Sequence, residues 1–179
     1  MGSDNPVNLV SLSLAAPYSG CRGNAENSHR SEENSTMATI KRHASAAWQG
    51  SGKDGTGSLT TQSGVLQKTP YGFNTRFGDG KGTNPEELIA AAHAGCFSMA
   101  TAFQLSGAGH PPESMDCDAT LTMEQIPGGW KIAAVHLVLK AKVPGIDAAK
   151  FKELAEGAKA NCPVSKVLNA EITLEATLL

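Results

Sequence analysis

From position 37 onward the hydrophobic and polar residues follow two different periods. Residues 40–48 and 58–66 alternate as half-buried strands do, and the glycine-rich Gly50-Ser51-Gly52-Lys53-Asp54-Gly55 between them predicts a hairpin turn. Residues 71–77 read as a third strand. The period changes at Thr83-Asn84-Pro85-Glu86-Glu87, which sets a capping residue, a proline at the first helical position and two carboxylates against the positive end of a helix dipole. A helix is expected from there to about Leu105. Its positions Leu88, Ala92, Cys96, Met99, Ala100 and Phe103 recur at three- and four-residue spacing, and Ala90, Ala91, Ala94, Gly95 and Ala102 keep it thin on nearly every side. Such a helix belongs at the centre of a fold, closely packed.

Gly107-Ala108-Gly109-His110-Pro111-Pro112 stops that helix. Residues 117–126 then alternate, Pro127-Gly128-Gly129 turns, and residues 130–143 alternate again, which predicts a second hairpin. Asp147 caps a polar helix to about Ala160. Asn161-Cys162-Pro163 interrupts it and restarts a short helix to Leu168, and residues 171–178 close the chain as a strand. Strands, helix, hairpin, helix, strand is an α+β order rather than a succession of βα units.

Residues 1–36 differ from the rest. They are rich in Ser, Asn, Gly and Pro and carry Asp4, Glu26, Glu32 and Glu33 against Arg22 and Arg30, so they are expected to be a disordered extension or leader ahead of a single domain over residues 37–179. Residues 7–16 have the apolarity of a signal-peptide core but no Lys or Arg ahead of them, Tyr18-Ser19-Gly20-Cys21 is a poor lipoprotein box, and Met37 is a second possible start.

The whole chain of 179 residues has 15 Lys+Arg, 17 Asp+Glu and a net charge of -2, which gives no basic field for nucleic acid or anionic membrane. The apolar run over residues 88–103 contains His93 and falls short of the roughly 20 apolar residues of a membrane span. Four cysteines, Cys21, Cys96, Cys117 and Cys162, form no CxxC pair, so neither a zinc finger nor a disulfide scaffold is expected. Reduced thiols in a cytoplasmic compartment are the background expectation, with any disulfide transient and functional.

Among residues that carry chemistry, Cys162 stands just before Pro163 at a helix start, where backbone N–H groups favour thiolate. Cys96 sits mid-helix on the apolar stripe, where a small buried hydrophobe is the plain reading, and Cys117 reads as structural. His93, three residues before Cys96, shares its side of the helix, so a Cys/His nucleophilic pair is geometrically open. Glu86 and Glu87 are explained by their place in a first helical turn, and Arg76 alone is a surface arginine. Glu86 precedes Cys96 by ten residues, about 15 Å of helix, and cannot touch it within one chain.

Pro70-Tyr71-Gly72-Phe73-Asn74-Thr75-Arg76-Phe77, the stretch from Gly82 to Ile89, Ala91-Ala92-His93-Ala94-Gly95-Cys96-Phe97-Ser98-Met99-Ala100, Val143-Pro144-Gly145-Ile146-Asp147 and Cys162-Pro163-Val164-Ser165-Lys166-Val167-Leu168 together resemble the osmotically inducible protein C family. The resemblance is to the osmotically inducible branch, sister to the organic hydroperoxide resistance proteins, and covers about residues 37–179. It implies a thiol peroxidase for organic hydroperoxides, with hydrogen peroxide the poorer substrate, and no metal or bound cofactor. It also implies Cys96 as the attacking cysteine, Cys162 as the resolving one, and Arg76 and Glu86 as polar partners of the thiolate and peroxide. The implied fold is an intertwined homodimer, with two antiparallel sheet portions around long central helices and sites at the subunit interface. There Glu86 reaches the other subunit's cysteine. The implied reductant is an external dithiol, a dihydrolipoyl protein. Local residues alone favour Cys162 as the attacker. Two other classes stay open on the residues: a Cys/His hydrolase or acyl transferase built on Cys96 and His93, and a non-catalytic ligand-binding stress protein.

Overall fold

A computed structural model describes residues 39–179 of the chain. The expected extension or leader over residues 1–36, with Cys21, lies outside the described residues.

Three antiparallel strands open the fold: β1 (Ala44–Gln49), β2 (Thr56–Thr61) and β3 (Thr69–Gly72), in that order. Trp48 and Tyr71 stack across Gly57, with centroids 5.4 Å apart, and a side chain on Gly57 would collide with both rings. The predicted third strand over residues 71–77 is half right. At Gly72 the chain leaves the sheet and forms helix α1 (Phe73–Phe77). Thr75 drives the change, because its hydroxyl accepts the Gly72 N–H at 2.9 Å and donates to the Gly72 carbonyl at 3.0 Å, so the backbone curls instead of extending.

Helix α2 (Pro85–Gly107) starts as its sequence predicts, with the Asn84 side chain accepting the Glu87 N–H at 2.8 Å. Gly82 ahead of it has a φ of +140° and lies against the Pro70 carbonyl, an approach that no side chain permits, and this ties the helix start to β3.

A second sheet follows. β4 (Ser114–Ile126) pairs antiparallel with β5 (Gly129–Lys142), and β6 (Glu171–Leu178) adds to the free edge of β5 in parallel. This sheet is therefore mixed, which corrects the expectation of two antiparallel sheets. The chain reaches β6 through helices α3 (Ala148–Asn161) and α4 (Pro163–Val167), a crossover long enough for parallel pairing. Asp147 caps α3 as predicted, accepting the Lys150 N–H at 2.8 Å.

The core lies between this mixed sheet and α2 and α3. Val135, Leu137, Leu139 and Ala141 alternate inward from β5 and meet Phe97 and Leu105 of α2 and Phe151, Ala155 and Ala158 of α3. The face that α2 buries is only in part the predicted one, with Cys96 and Ala100 of the apolar stripe packed against the core. His93, Phe97, Thr101 and Leu105 are inside, whereas Ala92, Met99 and Phe103 of the apolar stripe face outward, Phe103 with 74% of its surface exposed. The expectation that this run falls short of a membrane span is corrected for the whole helix: α2 has the length and apolarity of one, with 22% of that apolar window buried.

Candidate active site

Two constellations are built from the predicted residues. The first is an ion pair at the start of α2. Helix α1 presents Arg76, whose Nε donates to both carboxylate oxygens of Glu86, at 3.1 and 3.0 Å, and whose Nη2 meets the same carboxylate. The guanidinium also lies 5.3 Å from the Phe77 ring centroid, with Met123 Sδ 3.6 Å from Nη2. Phe77 in turn packs on Phe73 and Trp130, at 4.8 and 5.1 Å between centroids. Arg76 and Glu86 border an open cleft walled by Ile89, Met123, Trp130, Val167 and Leu168. A cation held by a carboxylate among aromatic and aliphatic side chains suits a ligand with a polar end and an apolar body.

The second constellation is a thiol pair. Cys96 on α2 faces Cys162 at the junction of α3 and α4, sulfur to sulfur 2.9 Å apart. That is well beyond a disulfide bond of about 2.05 Å, so the two are thiols in hydrogen-bond contact. The interrupted helix makes this possible. α3 ends as the Cys162 N–H reaches the Ala158 carbonyl at 2.8 Å, Pro163 opens a new turn, and the redirected chain points a fully buried Cys162 at α2.

The surroundings treat the two sulfurs differently. Burial pushes the Cys96 thiol above the ordinary cysteine range, and the Cys162 contact adds to this against a single backbone N–H from Val164. Burial also opposes charge on Cys162, but the contact with Cys96, the Ser165 and Val164 N–H groups and the Ser165 hydroxyl outweigh it and leave that thiol below the ordinary range. Within one chain, then, Cys162 is the readier thiolate. This agrees with the local sequence reading.

Among the described residues, neither Arg76 nor Glu86 bonds to either sulfur, as the helix rise requires. One chain therefore assembles Cys96 with Cys162, and Arg76 with Glu86, but does not join the pairs. His93 does not pair with Cys96 either. Its Nε2 lies 2.8 Å from the Ser165 hydroxyl, and burial holds its imidazole below the usual histidine range. That removes the dyad on which a Cys/His hydrolase would rest. Burial raises the Cys117 thiol, with the Ser98 hydroxyl pulling the other way and Asp118 adding to the rise. Among the described residues no cluster of three or more His, Cys, Asp or Glu is placed to hold a metal ion.

Ser165 and Met123 were not singled out in the sequence. Ser165 was accessible to the same spacing argument that joined His93 to Cys96, since Cys162 and Ser165 are also three residues apart on a helix. Met123 was not, because only the pairing of β4 with β5 brings it to Arg76.

Comparison with known proteins gives consistent results. The profile of the OsmC-like protein family matches residues 78–177. The chain is 51% identical over 140 residues to peroxiredoxin OsmC of Escherichia coli, covering 78% of this chain and 98% of that protein. It is 33% identical over 122 residues to organic hydroperoxide resistance protein OhrB of Bacillus subtilis, covering 66% of this chain and 88% of the relative. Among solved structures, an organic hydroperoxide resistance protein OsmC from Legionella pneumophila superposes with a TM-score of 0.61 at 25% identity, over 78% of this chain and 98% of its own.

Proposed function

The chain belongs to the OsmC-like protein family, and we propose from that premise that it reduces organic hydroperoxides by a two-cysteine mechanism in which Cys96 attacks and Cys162 resolves. That it is a peroxiredoxin-type hydroperoxide reductase follows from its relatives, named peroxiredoxin OsmC and organic hydroperoxide resistance proteins. The observation that carries the mechanism is the 2.9 Å contact between the two sulfurs.

The chemistry runs through sulfur alone and requires no metal or bound cofactor. Cys96 thiolate attacks one peroxide oxygen, the O–O bond breaks, and the alkoxide takes a proton and leaves as alcohol. Cys162 then displaces hydroxide from the Cys96 sulfenic acid to form a disulfide, and an external dithiol restores both thiols. Because Cys96 is the less acidic sulfur in its own chain, this order needs a cation beside it. Arg76 of a second subunit is the candidate, held and aimed by its Glu86.

A homodimer accounts for what one chain leaves open. The sheet β1–β3 has no buried residue, and Met99, Phe103 and Trp130 expose 50% or more of their surface. An intertwined pair that covers these surfaces would also bring Arg76 and Glu86 to the partner's thiols. Residues 37–179 form the peroxidase domain. The apolar cleft beside Arg76 favours alkyl hydroperoxides over hydrogen peroxide. A cycle that returns to free thiols suits the cytoplasm, with a dihydrolipoyl protein as the dithiol.

The test is stoichiometric. Reduced protein given one equivalent of cumene hydroperoxide should lose two thiols and yield a Cys96–Cys162 disulfide in a peptide map. Cys96→Ser should abolish consumption, and Cys162→Ser should stop at a sulfenic acid that dimedone traps. Survival of both thiols in excess peroxide would overturn the reading.

A further inference from the structure

The two cysteines are half of a larger arrangement. On α2, His93 and Cys96 are three residues apart, and at the start of α4 Cys162 and Ser165 have the same spacing. The pairs face each other as two rungs: Cys96 meets Cys162 at 2.9 Å between sulfurs, and His93 Nε2 meets Ser165 Oγ at 2.8 Å. The Ser165 hydroxyl also favours charge on Cys162, which joins the rungs along α4.

His93 is fully buried, and among the described residues no group meets its Nδ1. A buried polar atom without a partner costs stability, so the imidazole is not there to fill space, which an apolar side chain does better. Of the two ring nitrogens only Nε2 faces a neighbour, and a proton there leaves an acceptor rather than an N–H without a partner at Nδ1, so the neutral ring is taken as the Nε2–H tautomer. Nε2–H then donates to Ser165 Oγ, and the serine hydroxyl hydrogen is left to point elsewhere. Cys162, three residues earlier at the start of α4, is the thiol whose charge that hydroxyl favours.

We propose that His93 is a positioning residue for the resolving step, acting through the Ser165 hydroxyl to aim a hydrogen at Cys162 Sγ and ready that sulfur for attack on oxidised Cys96. This deepens the two-cysteine reading and rests on it. In the step itself Cys162 gives up its proton, its sulfur bonds to Cys96 Sγ, and the sulfenic S–O bond breaks. The departing hydroxide takes up one proton and leaves as water. The Cys162 sulfur is oxidised by the same amount that the Cys96 sulfur is reduced.

The groups that bear on Cys162 are few. From α2 they are Cys96 and, through Ser165, His93; from α4 they are the Val164 and Ser165 N–H groups and the Ser165 hydroxyl. The nearby ammonium groups are engaged elsewhere, Lys159 with Glu156 at the end of α3 and Lys166 with the Asn161 side chain. Ser165 and His93 are therefore the side chains through which this thiol can be tuned without touching Cys96.

The experiment follows one equivalent of cumene hydroperoxide in stopped flow across pH 5–9, separating sulfenic acid formation from disulfide formation. Wild type is compared with Ser165→Ala, His93→Leu and His93→Gln. A one-unit rise in the Cys162 pKa cuts its thiolate about tenfold, while the more basic sulfur regains about threefold in nucleophilicity. Ser165→Ala should therefore lower the ratio of second-phase to first-phase rate about threefold at pH 7 for each unit of that rise and move the second-phase profile to higher pH. His93→Leu should do the same, and His93→Gln, whose side-chain N–H can still donate to Ser165, should restore most of the ratio. A ratio and profile in Ser165→Ala that superimpose on wild type would overturn the proposal, even if His93→Leu does not fold. Absence of the first phase in wild type would instead overturn the peroxidase reading.

Discussion

Two regions of this chain solve the problem of burial in opposite ways. The mixed sheet β4–β6 with α3 and the inner face of α2 closes a core of its own, in which Phe97, Leu105, Leu137, Leu139 and Ala155 have no exposed surface. The sheet β1–β3 holds no fully buried residue, and the outer face of α2 presents Met99 and Phe103. The chemistry divides along the same line. The self-sufficient region completes the thiol pair, whereas Arg76 and Glu86 stand where the unfinished sheet passes into α2. Where the chain leaves apolar surface open, it also leaves the catalytic set incomplete. The proposed homodimer would answer both needs at once.

The comparison breaks most visibly at two phenylalanines six residues apart on α2. Phe97→Ala should cost about 3–5 kcal/mol of unfolding free energy, since it empties a filled core site. Phe103→Ala should leave the core intact and instead weaken self-association, read as a shift toward monomer in sedimentation velocity. A large loss of monomer stability from Phe103→Ala would erase the distinction between the two regions. The next largest effect is at the ion pair. Arg76→Ala should lower the second-order rate of Cys96 oxidation about 100-fold, the size of losing one charged donor from a reacting centre. The thiol pair itself, closed within the other region, should still be oxidised by a slow chemical oxidant.

The smallest effect concerns His93. Burial lowers its pKa in the folded chain, so below about pH 6.5 the unfolded chain binds a proton that the folded one refuses. Stability should therefore be full above that pH and fall as the solution is acidified, by at most about 1.4 kcal/mol per pH unit from this group. Urea denaturation at pH 7.5, 6.5 and 5.5 would measure the slope, and His93→Gln should flatten it.

Much of this architecture was legible in the chain because its signals were local. Asn84-Pro85-Glu86-Glu87 announced α2, Asp147 announced α3, and Cys162-Pro163 announced a helix restart that aims a thiol. What escaped was decided by distant partners. β6 alternates as any edge strand does, and nothing in it says that it joins β5 in parallel. Phe73–Phe77 has strand-forming residues, yet the Thr75 hydroxyl bonded to Gly72 outweighs them. The inward face of α2 is only partly legible, because a helix of alanines has apolar residues on every side. A stripe of Met99 and Phe103 looks like a core stripe whether it meets its own chain or another. His93 was visible as a neighbour of Cys96, but its partner Ser165 depended on how α4 packs.

The most direct test of the shared site is complementation between two inactive proteins. Cys96→Ser keeps Arg76 and lacks the nucleophile; Arg76→Ala keeps the nucleophile and lacks its cation. Co-expressed with different tags and purified as the mixed dimer, they should form one complete site of two, so that activity returns to about half that of wild type. Activity no greater than the sum of the two parents would contradict a site shared between subunits.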